Sequence, residues 1–574
     1  MCNYTYSLLF ACLQLFVSVR TSSSRSEVHS PNHLFNAIHS SARQWGSSLN
    51  HNGMSFFLAS VPAGTQLYHG TYTTETVKGY EWLAFEPEHA MIFAYPRGPV
   101  EHTPVHDAST GEKEDSDLSV WLWEETMRRR QLSHRALVES VHDEKVPPHQ
   151  EPLYARQLYL SKARASASRD DVAPLQSSAL FSRPSREEQQ PLERQKLGSD
   201  AKPGYLHTYS PKHDLRLLYI DGLSAGKTSN GTLDSQDMVL LNMSSSDLHG
   251  PMGGDYERAK RMCNLISTLW QDKIDGVIRM EGGFEIILCD FEKHLRKTDV
   301  LAVTTHERSN GSLSGWSYMK AITERYDGIG GERITLDYDD FVSVFAYPDI
   351  GGLFNNDVQS DYAMPRLQPP ENVSAEQLCR IKEDVTKLIL RKNWDTKMTT
   401  TNWQAVADNI MKRYSKPLHH LHTSTQLRED KVLFQEYLAK LLHPFFDHPA
   451  RNATLETQRC VSQHVPVPDF NETLAHRTVY SIAHHMCSVL FTSLHTVAAS
   501  ASQALSTSDH ALELIDDLVD YLQWTTWKRC GPCSDEEVCY IPIWPMGNHE
   551  DHLRPRCRKE EDARGRLDYW GRYW

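Results

Sequence analysis

Two neighbouring stretches decide the fold prediction: VPAGTQLYHGT from Val61 to Thr71, and EWLAFEPEHAMIFAY from Glu81 to Tyr95. The first has the character of a strand that ends in His-Gly-Thr. The second begins as a strand and runs into a helix that starts with proline, a residue favoured in the first helical turn. Together they predict the opening of an α+β core.

The predicted core resumes after a long interruption. Strand character returns at Leu215 to Ile220, a helix is expected from Tyr256 to Trp270, and two short strands follow at Val277 to Met280 and Phe284 to Cys289. The residues from about 100 to 203 are rich in Ser, Pro, Gln, Glu and Arg. Such a segment buries too little apolar surface to offset its chain entropy, so we expect a largely disordered insertion.

The second half of the chain is helical in character. Ser374 to Gln377 is a capping-box start, in which the side chains of the first and fourth residues bond each other's backbone. Further helical patterns are expected in four segments: Trp403 to Tyr414, Lys431 to Leu442, Ala475 to Val497 and Ala511 to Trp524. The predicted division is a signal peptide (1–24), a first half of the core (25–102), the insertion (103–203), a second half of the core (204–368), a helical domain (369–528) and a tail rich in Cys and Trp (529–574).

Composition limits the function classes. The 574 residues are 40% hydrophobic and 23% charged, which is typical of a globular protein. A formal charge of −14 argues against general nucleic-acid binding, because that requires a basic surface. No segment after the leader is apolar over the length needed to span a bilayer.

The N-terminus indicates export. The apolar run YSLLFACLQLFVSV from Tyr6 to Val19 suits the hydrophobic region of a signal peptide with cleavage near Ser22 to Ser24, although a buried helix is the alternative. The chain has seven N-x-Ser/Thr sequons, and six lie beyond the leader. We therefore predict a secreted or lumenal glycoprotein with these candidate glycosylation sites: Asn230, Asn242, Asn310, Asn372, Asn452 and Asn471.

Cysteine usage agrees with an oxidising compartment. Four cysteines crowd the tail, and we expect two bridges among Cys530, Cys533, Cys539 and Cys557, with all three connectivities open. A redox-active CxxC and a zinc site are weaker alternatives. Nine cysteines remain after leader removal, so the odd count predicts a free thiol, for which Cys289 is the candidate.

One nucleotide-binding motif is rejected. Gly222 to Thr228 nearly spells a phosphate-binding loop, but only three residues separate its glycines where four are needed. A turn and a sequon follow instead of a helix, so we interpret this segment as a surface turn.

The opening stretches, together with IDGVI from Ile274 to Ile278 and GGFEIILCD from Gly282 to Asp290, resemble the ADP-ribosyltransferase fold in the branch that uses a His-Tyr-Glu triad. The resemblance implies an ADP-ribosyltransferase-like mixed sheet, interrupted by the insertion and followed by an all-α region and a disulfide-bridged tail. It also implies that NAD is the substrate. The chain as a whole resembles uncharacterised secreted proteins of filamentous fungi.

The resemblance assigns roles to particular residues. Glu285 corresponds to the catalytic glutamate, and His69, Gly70 and Thr71 to the motif that binds the adenosine ribose. The ring that stacks on nicotinamide has three candidates: Trp82, Phe85 and Tyr95. The Glu-x-Glu pair of the arginine-modifying branch is missing, because Gly283 precedes Glu285 by two positions.

Such residues suit cleavage of the bond between nicotinamide and ribose. That reaction passes through an oxocarbenium-like state, which a carboxylate stabilises. Three hypotheses remain: a secreted glycoprotein with a non-catalytic core, an active ADP-ribosyltransferase or NAD glycohydrolase using His69 and Glu285, and a secreted interaction or structural module. We expect no metal site, no transmembrane segment, and a protein or glycan as the partner.

Overall fold

The computed structural model describes residues 27–94, 202–243, 254–303, 313–325, 328–354, 364–395, 401–465, 472–500 and 506–570. Several sequence predictions concern other parts of the chain. The signal peptide (1–24), nearly all of the insertion (103–203), Tyr95 and the sequons at Asn310 and Asn471 lie outside the described residues.

The centre of the protein is a nine-stranded mixed sheet with strand order β8-β4-β2-β3-β7-β6-β5-β1-β9. Its neighbouring strands are antiparallel except for the parallel pair β5 and β6. The strands are β1 (Ser55–Val61), β2 (Leu67–Thr71), β3 (Glu81–Ala84), β4 (Gly204–Pro211), β5 (Leu215–Ile220), β6 (Gly276–Glu281), β7 (Gly283–Leu288), β8 (Leu295–Val303) and β9 (Thr335–Ser343). Strands from both sides of the insertion therefore belong to one sheet, and the predicted α+β class is confirmed.

The sheet is nearly divided into two at its middle. Strands β2 and β3 are registered at one residue pair, Tyr68 with Ala84. By contrast, β2 pairs with β4 along its whole length, and β3 pairs with β7 along its whole length. Beyond Tyr68 the two strands separate, which opens a gap within the sheet.

Helices cover the sheet and form the C-terminal half. They are α1 (Pro31–Ser40), α2 (Gln44–Leu49), α3 (Pro87–Met91), α4 (Asp255–Thr268), α5 (Phe291–His294), α6 (Leu313–Arg325), α7 (Ala375–Arg391), α8 (Trp403–Thr423), α9 (Thr425–Glu429), α10 (Lys431–Leu442), α11 (Ala453–Ser462), α12 (Leu474–Ser500), α13 (Ser506–Leu522), α14 (His549–Leu553) and α15 (Glu560–Ala563). The predicted capping box is present at Ser374 and Gln377, at the start of α7.

The helical half and the sheet share one hydrophobic core. Helix α7 turns Ile381, Val385 and Ile389 inward, and none of the three is exposed. Helix α1 is tied to the end of α13, because the amides of Asn32 and Asn36 donate to the backbone carbonyls there, each at 2.9 Å. The N-terminal helices are thus held by residues nearly five hundred positions away.

Disulfides link four pairs of described cysteines: Cys263–Cys289, Cys460–Cys487, Cys530–Cys539 and Cys533–Cys557. The prediction of a free thiol at Cys289 is wrong, because α4 presents Cys263 next to the end of β7. Cys379 is disulfide-bonded as well. In the tail, Cys539 and Cys557 face each other across the short hairpin of β10 (Val538–Tyr540) and β11 (Arg556–Arg558). In the described part of the chain, no helix is long and apolar enough to cross a bilayer.

Candidate functional site

The gap between β2 and β3 forms a cleft, which we call the β2–β3 cleft. Residues Tyr68 to Tyr72 line one side and Glu81 to Ala84 line the other, while α3, Tyr256 and Glu285 complete the walls. Its cavity is about 70 Å³. That is smaller than the ~300–1,000 Å³ of sites that bury a drug-sized ligand.

Strand register explains how Glu285 reaches the cleft. Tyr68 lies opposite Ala84, Ala84 lies opposite Glu285, and Glu285 lies opposite Arg279, so these four residues form one row across β2, β3, β7 and β6. Residues directly opposite each other point to the same face of a sheet. The carboxylate of Glu285 therefore lies beside the point at which β2 and β3 separate.

His69 borders the cleft in a different way. Side chains alternate along a strand, so His69 turns to the other face of β2 from Tyr68. Its ring meets Phe291 edge to face at 5.7 Å between centroids, and its Nδ1 is 2.7 Å from the carbonyl oxygen of Trp82 on β3. His69 is only 6% exposed. It therefore braces the two strands where they diverge, while also lining the cavity.

Gly70 allows α3 to approach β2 closely. A Cβ atom at this position would overlap the carbonyl oxygen of Ala90 and would lie 2.8 Å from the Cβ of Phe93. The glycine of the His-Gly-Thr motif is thus required by packing. Thr71, the last residue of the motif, is 5% exposed and also lines the cleft.

The three candidates for an aromatic cover have different positions. Trp82 lines the cleft and meets Tyr256 of α4 edge to face at 4.9 Å between centroids. Phe85 is fully buried and is absent from the described lining of the cavity, so its proposed cofactor contact is not observed. It follows β3 on the side of the sheet that faces the main core. Tyr95 is outside the described residues. Tyr256 and Phe93 are aromatic residues of the cleft that the sequence reasoning missed.

A buried charge cluster lies next to Glu285. We use this name for Lys227, Arg279, Asp255, Glu281 and Glu285, none of which has more than 5% of its side chain exposed. Arg279 contacts Asp255 through both terminal nitrogens at 3.1 Å and Glu285 at 2.5 Å. Lys227 contacts Glu281 at 2.6 Å and Asp255 at 3.3 Å. The carboxylate of Glu285, which was predicted to be catalytic, is therefore ion-paired with the guanidinium of Arg279.

The surface-turn prediction for Gly222 to Thr228 is wrong. Ser224 and Lys227 are 0% and 3% exposed, and the ammonium of Lys227 donates to Glu281 of the charge cluster at 2.6 Å. The polar composition of the segment suggested exposure, whereas its lysine is satisfied internally by carboxylates from β6 and α4.

Burial and neighbouring charge shift two pKa values near the cleft. Burial alone would lower the pKa of Arg279, but Asp255 and Glu285 more than offset it, so the pKa lies above its ordinary value. His207 faces His69 across β2 and β4. Burial, followed by the proximity of His69, lowers the pKa of His207 to about 4, so its ring is neutral near pH 7.

Gly283, two positions before Glu285, is constrained by the backbone. Gly283 follows the tight turn between β6 and β7 with φ of 86°, in the left-handed region that favours glycine. Its N–H donates to the Gln44 side chain at 2.8 Å. A glutamate at position 283 would therefore be strained by this turn.

A second cluster with metal-ligand chemistry lies at the other end of β5. His213, Asp275 and His294 come together, with 3.1 Å between Nε2 of His213 and Nδ1 of His294. Asp275 is already paired with Arg216, at 2.5 Å between Oδ1 and Nη2. This pairing engages the only carboxylate of the group, and the cluster is explained by its own hydrogen bonds.

The four described sequons differ in accessibility. Asn242 and Asn452 are exposed, and the Asn452 oxygen caps α11 by accepting from Leu455. Asn230 is half-buried and donates to the Tyr569 carbonyl at 2.9 Å. The amide nitrogen of Asn372 donates to two backbone carbonyls, at 2.8 and 3.1 Å. Asn242 and Asn452 are therefore the sites best placed to carry glycan.

Comparison with known proteins identifies relatives without a described activity. A family model described as the YPL277C N-terminal domain matches residues 25–116 and 167–314, which include His69 and Glu285. The chain is 23% identical to the uncharacterised protein YOR389W of Saccharomyces cerevisiae over 596 residues, covering 90% of this chain and 82% of that protein. It is 28% identical to the uncharacterised protein YPL277C of the same yeast over 262 residues, covering 45% of this chain and 40% of that protein. No solved structure gives a significant match.

Proposed function

We propose that this chain is a secreted glycoprotein whose ADP-ribosyltransferase-like core binds the nicotinamide end of NAD in the β2–β3 cleft, with little or no turnover. The observation that carries the proposal is that His69 and Glu285, from strands on opposite sides of β3, line one cavity. They are more than two hundred residues apart in the sequence, and a divided sheet brings them together.

The chemistry of the cleft supports a nicotinamide ligand. The nicotinamide ring of oxidised NAD carries positive charge, and such a ring is attracted to aromatic faces and to carboxylates. Trp82 and Tyr256 supply aromatic surface, and Glu81 and Glu285 supply acidic groups. A cavity of about 70 Å³ suits one small ring better than a whole dinucleotide.

Two features favour binding over turnover. Catalysis requires a carboxylate whose charge stabilises the cation that develops on the ribose. Arg279 lies 2.5 Å from Oε1 of Glu285 and offsets part of that charge. In addition, His69 uses Nδ1 to hold Trp82 of β3, so its ring is fixed by the sheet.

An active enzyme is the second candidate, favoured by the same pairing of His69 and Glu285. In that case Glu285 would accept a hydrogen bond from a ribose hydroxyl while the bond to nicotinamide breaks, and water or an acceptor side chain would take the ribosyl group. A secreted module that binds a protein or a glycan is the third candidate, for which the described residues offer no distinct site.

Export rests on separate support. The described residues contain four disulfides, and two exposed sequons are available at Asn242 and Asn452. Structural disulfides of this kind persist in secreted and lumenal proteins.

Binding and turnover can be measured on the same preparations. The chain secreted from a eukaryotic host is heated with and without NAD to detect stabilisation by the ligand. Cleavage is followed by the fluorescence of etheno-NAD. Glu285→Gln is compared with Glu292→Gln, an exposed glutamate that pairs loosely with Lys78 at 3.7 Å.

The proposal expects stabilisation by NAD and equal background cleavage in all three proteins. If wild type and Glu292→Gln cleave NAD and Glu285→Gln does not, the chain is an active enzyme and the proposal of binding without turnover is wrong. No stabilisation at millimolar NAD would contradict both the NAD-binding proposal and the enzyme hypothesis.

A further inference from the structure

A second and larger cavity lies away from the β2–β3 cleft and shares no described lining residue with it. It is enclosed by α1 and α2, by the segment after α13, and by the tail near α14. We call it the α1–tail cavity. Its volume of about 630 Å³ is within the range of sites that bury small-molecule ligands.

A cation lines the same cavity. Lys528 is mostly buried, and its ammonium donates to the His552 carbonyl at 2.9 Å. Among the described residues, no salt bridge includes Lys528. Burial lowers the pKa of Lys528 to about 8, so the side chain remains largely protonated near pH 7. A buried ammonium with a neutral partner favours an anionic ligand.

Asp221 also lines the cavity and favours a ligand that carries a hydroxyl group. It is 5% exposed, and its Oδ1 accepts a hydrogen bond from the Tyr219 hydroxyl at 3.0 Å. Burial raises the pKa of Asp221 to about 7, so much of the carboxyl group is uncharged near neutral pH. It repels an anion weakly and can exchange a hydrogen bond with a ligand hydroxyl. The other acid in the wall, Asp520, is exposed at the rim.

We propose that the α1–tail cavity binds a small hydroxylated organic anion. Its carboxylate lies at Lys528, and a hydroxyl contacts Asp221. The site is independent of NAD binding, because it is built from the N-terminal helices and the C-terminal segments rather than from the divided sheet.

Gluconate and glucose test the proposal, because they share six carbons and differ in charge. Each is titrated into the full secreted chain by calorimetry, beside inorganic phosphate. Lys528→Met removes the cation while keeping the length of the side chain, and Lys440→Met makes the same change at an exposed lysine. Gluconate should bind wild type and Lys440→Met, and binding should weaken about tenfold or more in Lys528→Met.

Four results would overturn the proposal: no heat with gluconate at 10 mM (roughly the weak limit of specific binding), equal binding of glucose, binding of phosphate alone, or equal gluconate affinity in wild type and Lys528→Met. The first would leave a cavity filled by water, and the second would indicate a neutral polyol site.

Discussion

Replacing Arg279 with methionine should remove the cation that holds the charge cluster together. Arg279 is fully buried and contacts Asp255 and Glu285 at the centre of the sheet. Methionine has a similar length and fills much of the same space, so the change is mainly one of charge and hydrogen bonding. The variant leaves carboxylates from α4 and β7 near each other without the guanidinium between them.

The expected loss of stability follows from burial. Breaking a buried ion pair by removing one partner costs ~3–5 kcal/mol, because the remaining charge stays desolvated. Lys227 lies 3.3 Å from Asp255 and offsets part of that cost. A loss of about 3 kcal/mol or more is therefore expected, which is a large share of the ~5–15 kcal/mol that stabilises a typical protein.

Urea denaturation of wild type and two variants measures this loss. The control is Arg380→Met, because Arg380 also pairs with a carboxylate: its Nη2 contacts both oxygens of Asp349, at 2.6 and 2.7 Å. Its side chain is 43% exposed, so its removal should change the free energy of unfolding by less than ~1 kcal/mol. Equal losses in Arg279→Met and Arg380→Met would refute the reasoning that burial makes the charge cluster essential.

Three further predictions concern titration, packing and glycosylation. Burial raises the pKa of Asp221 from 3.8 to about 7. Between those pH values the folded chain therefore binds more protons than the unfolded chain. The contribution of Asp221 to stability is lost as the pH rises through that window. Asp221→Asn should therefore gain up to ~4 kcal/mol relative to wild type between pH 4 and pH 7 in pH-dependent denaturation, and parallel pH profiles would contradict this. Gly70→Ala should cost ~1–3 kcal/mol through overlap with Ala90, whereas Gly330→Ala, with open space around it, should change stability by less than ~0.5 kcal/mol; equal melting temperatures for the two variants would count against the packing argument. Glycopeptide mass spectrometry of the secreted chain should find glycan at Asn242 and Asn452 and little at Asn372, whose amide donates to two backbone carbonyls. Full occupancy at Asn372 would contradict the argument that these hydrogen bonds withhold its amide.

The sequence was informative wherever local pattern and structure agree. The apolar runs at Leu215–Ile220 and Gly283–Leu288 form strands that are almost wholly buried. Strands buried on both faces of a sheet are continuously hydrophobic, so these two could be predicted from the sequence. The capping box at Ser374 was predictable because its two hydrogen bonds depend on residues three positions apart. That His69 and Glu285 line one cavity was not predictable from either of these local patterns.

Long-range pairing was not predictable from the sequence. Lys227 is buried because carboxylates from β6 and α4 pair with it. The local sequence, a polar segment with two glycines, gives no indication of those distant partners. The bond between Cys263 and Cys289 requires a helix and a strand end to meet, and cysteine spacing does not reveal that. The separation of β2 and β3 after one residue pair is likewise a property of the assembled sheet.

Calorimetric titration of NAD into the secreted chain, beside an identical titration of ADP-ribose, tests the central claim most directly. The two ligands differ by the nicotinamide group, which the β2–β3 cleft is proposed to hold. We predict that NAD binds at least about tenfold more tightly than ADP-ribose, equivalent to ~1.4 kcal/mol from the ring. Equal affinities, or no heat with NAD at millimolar concentration, would contradict the account.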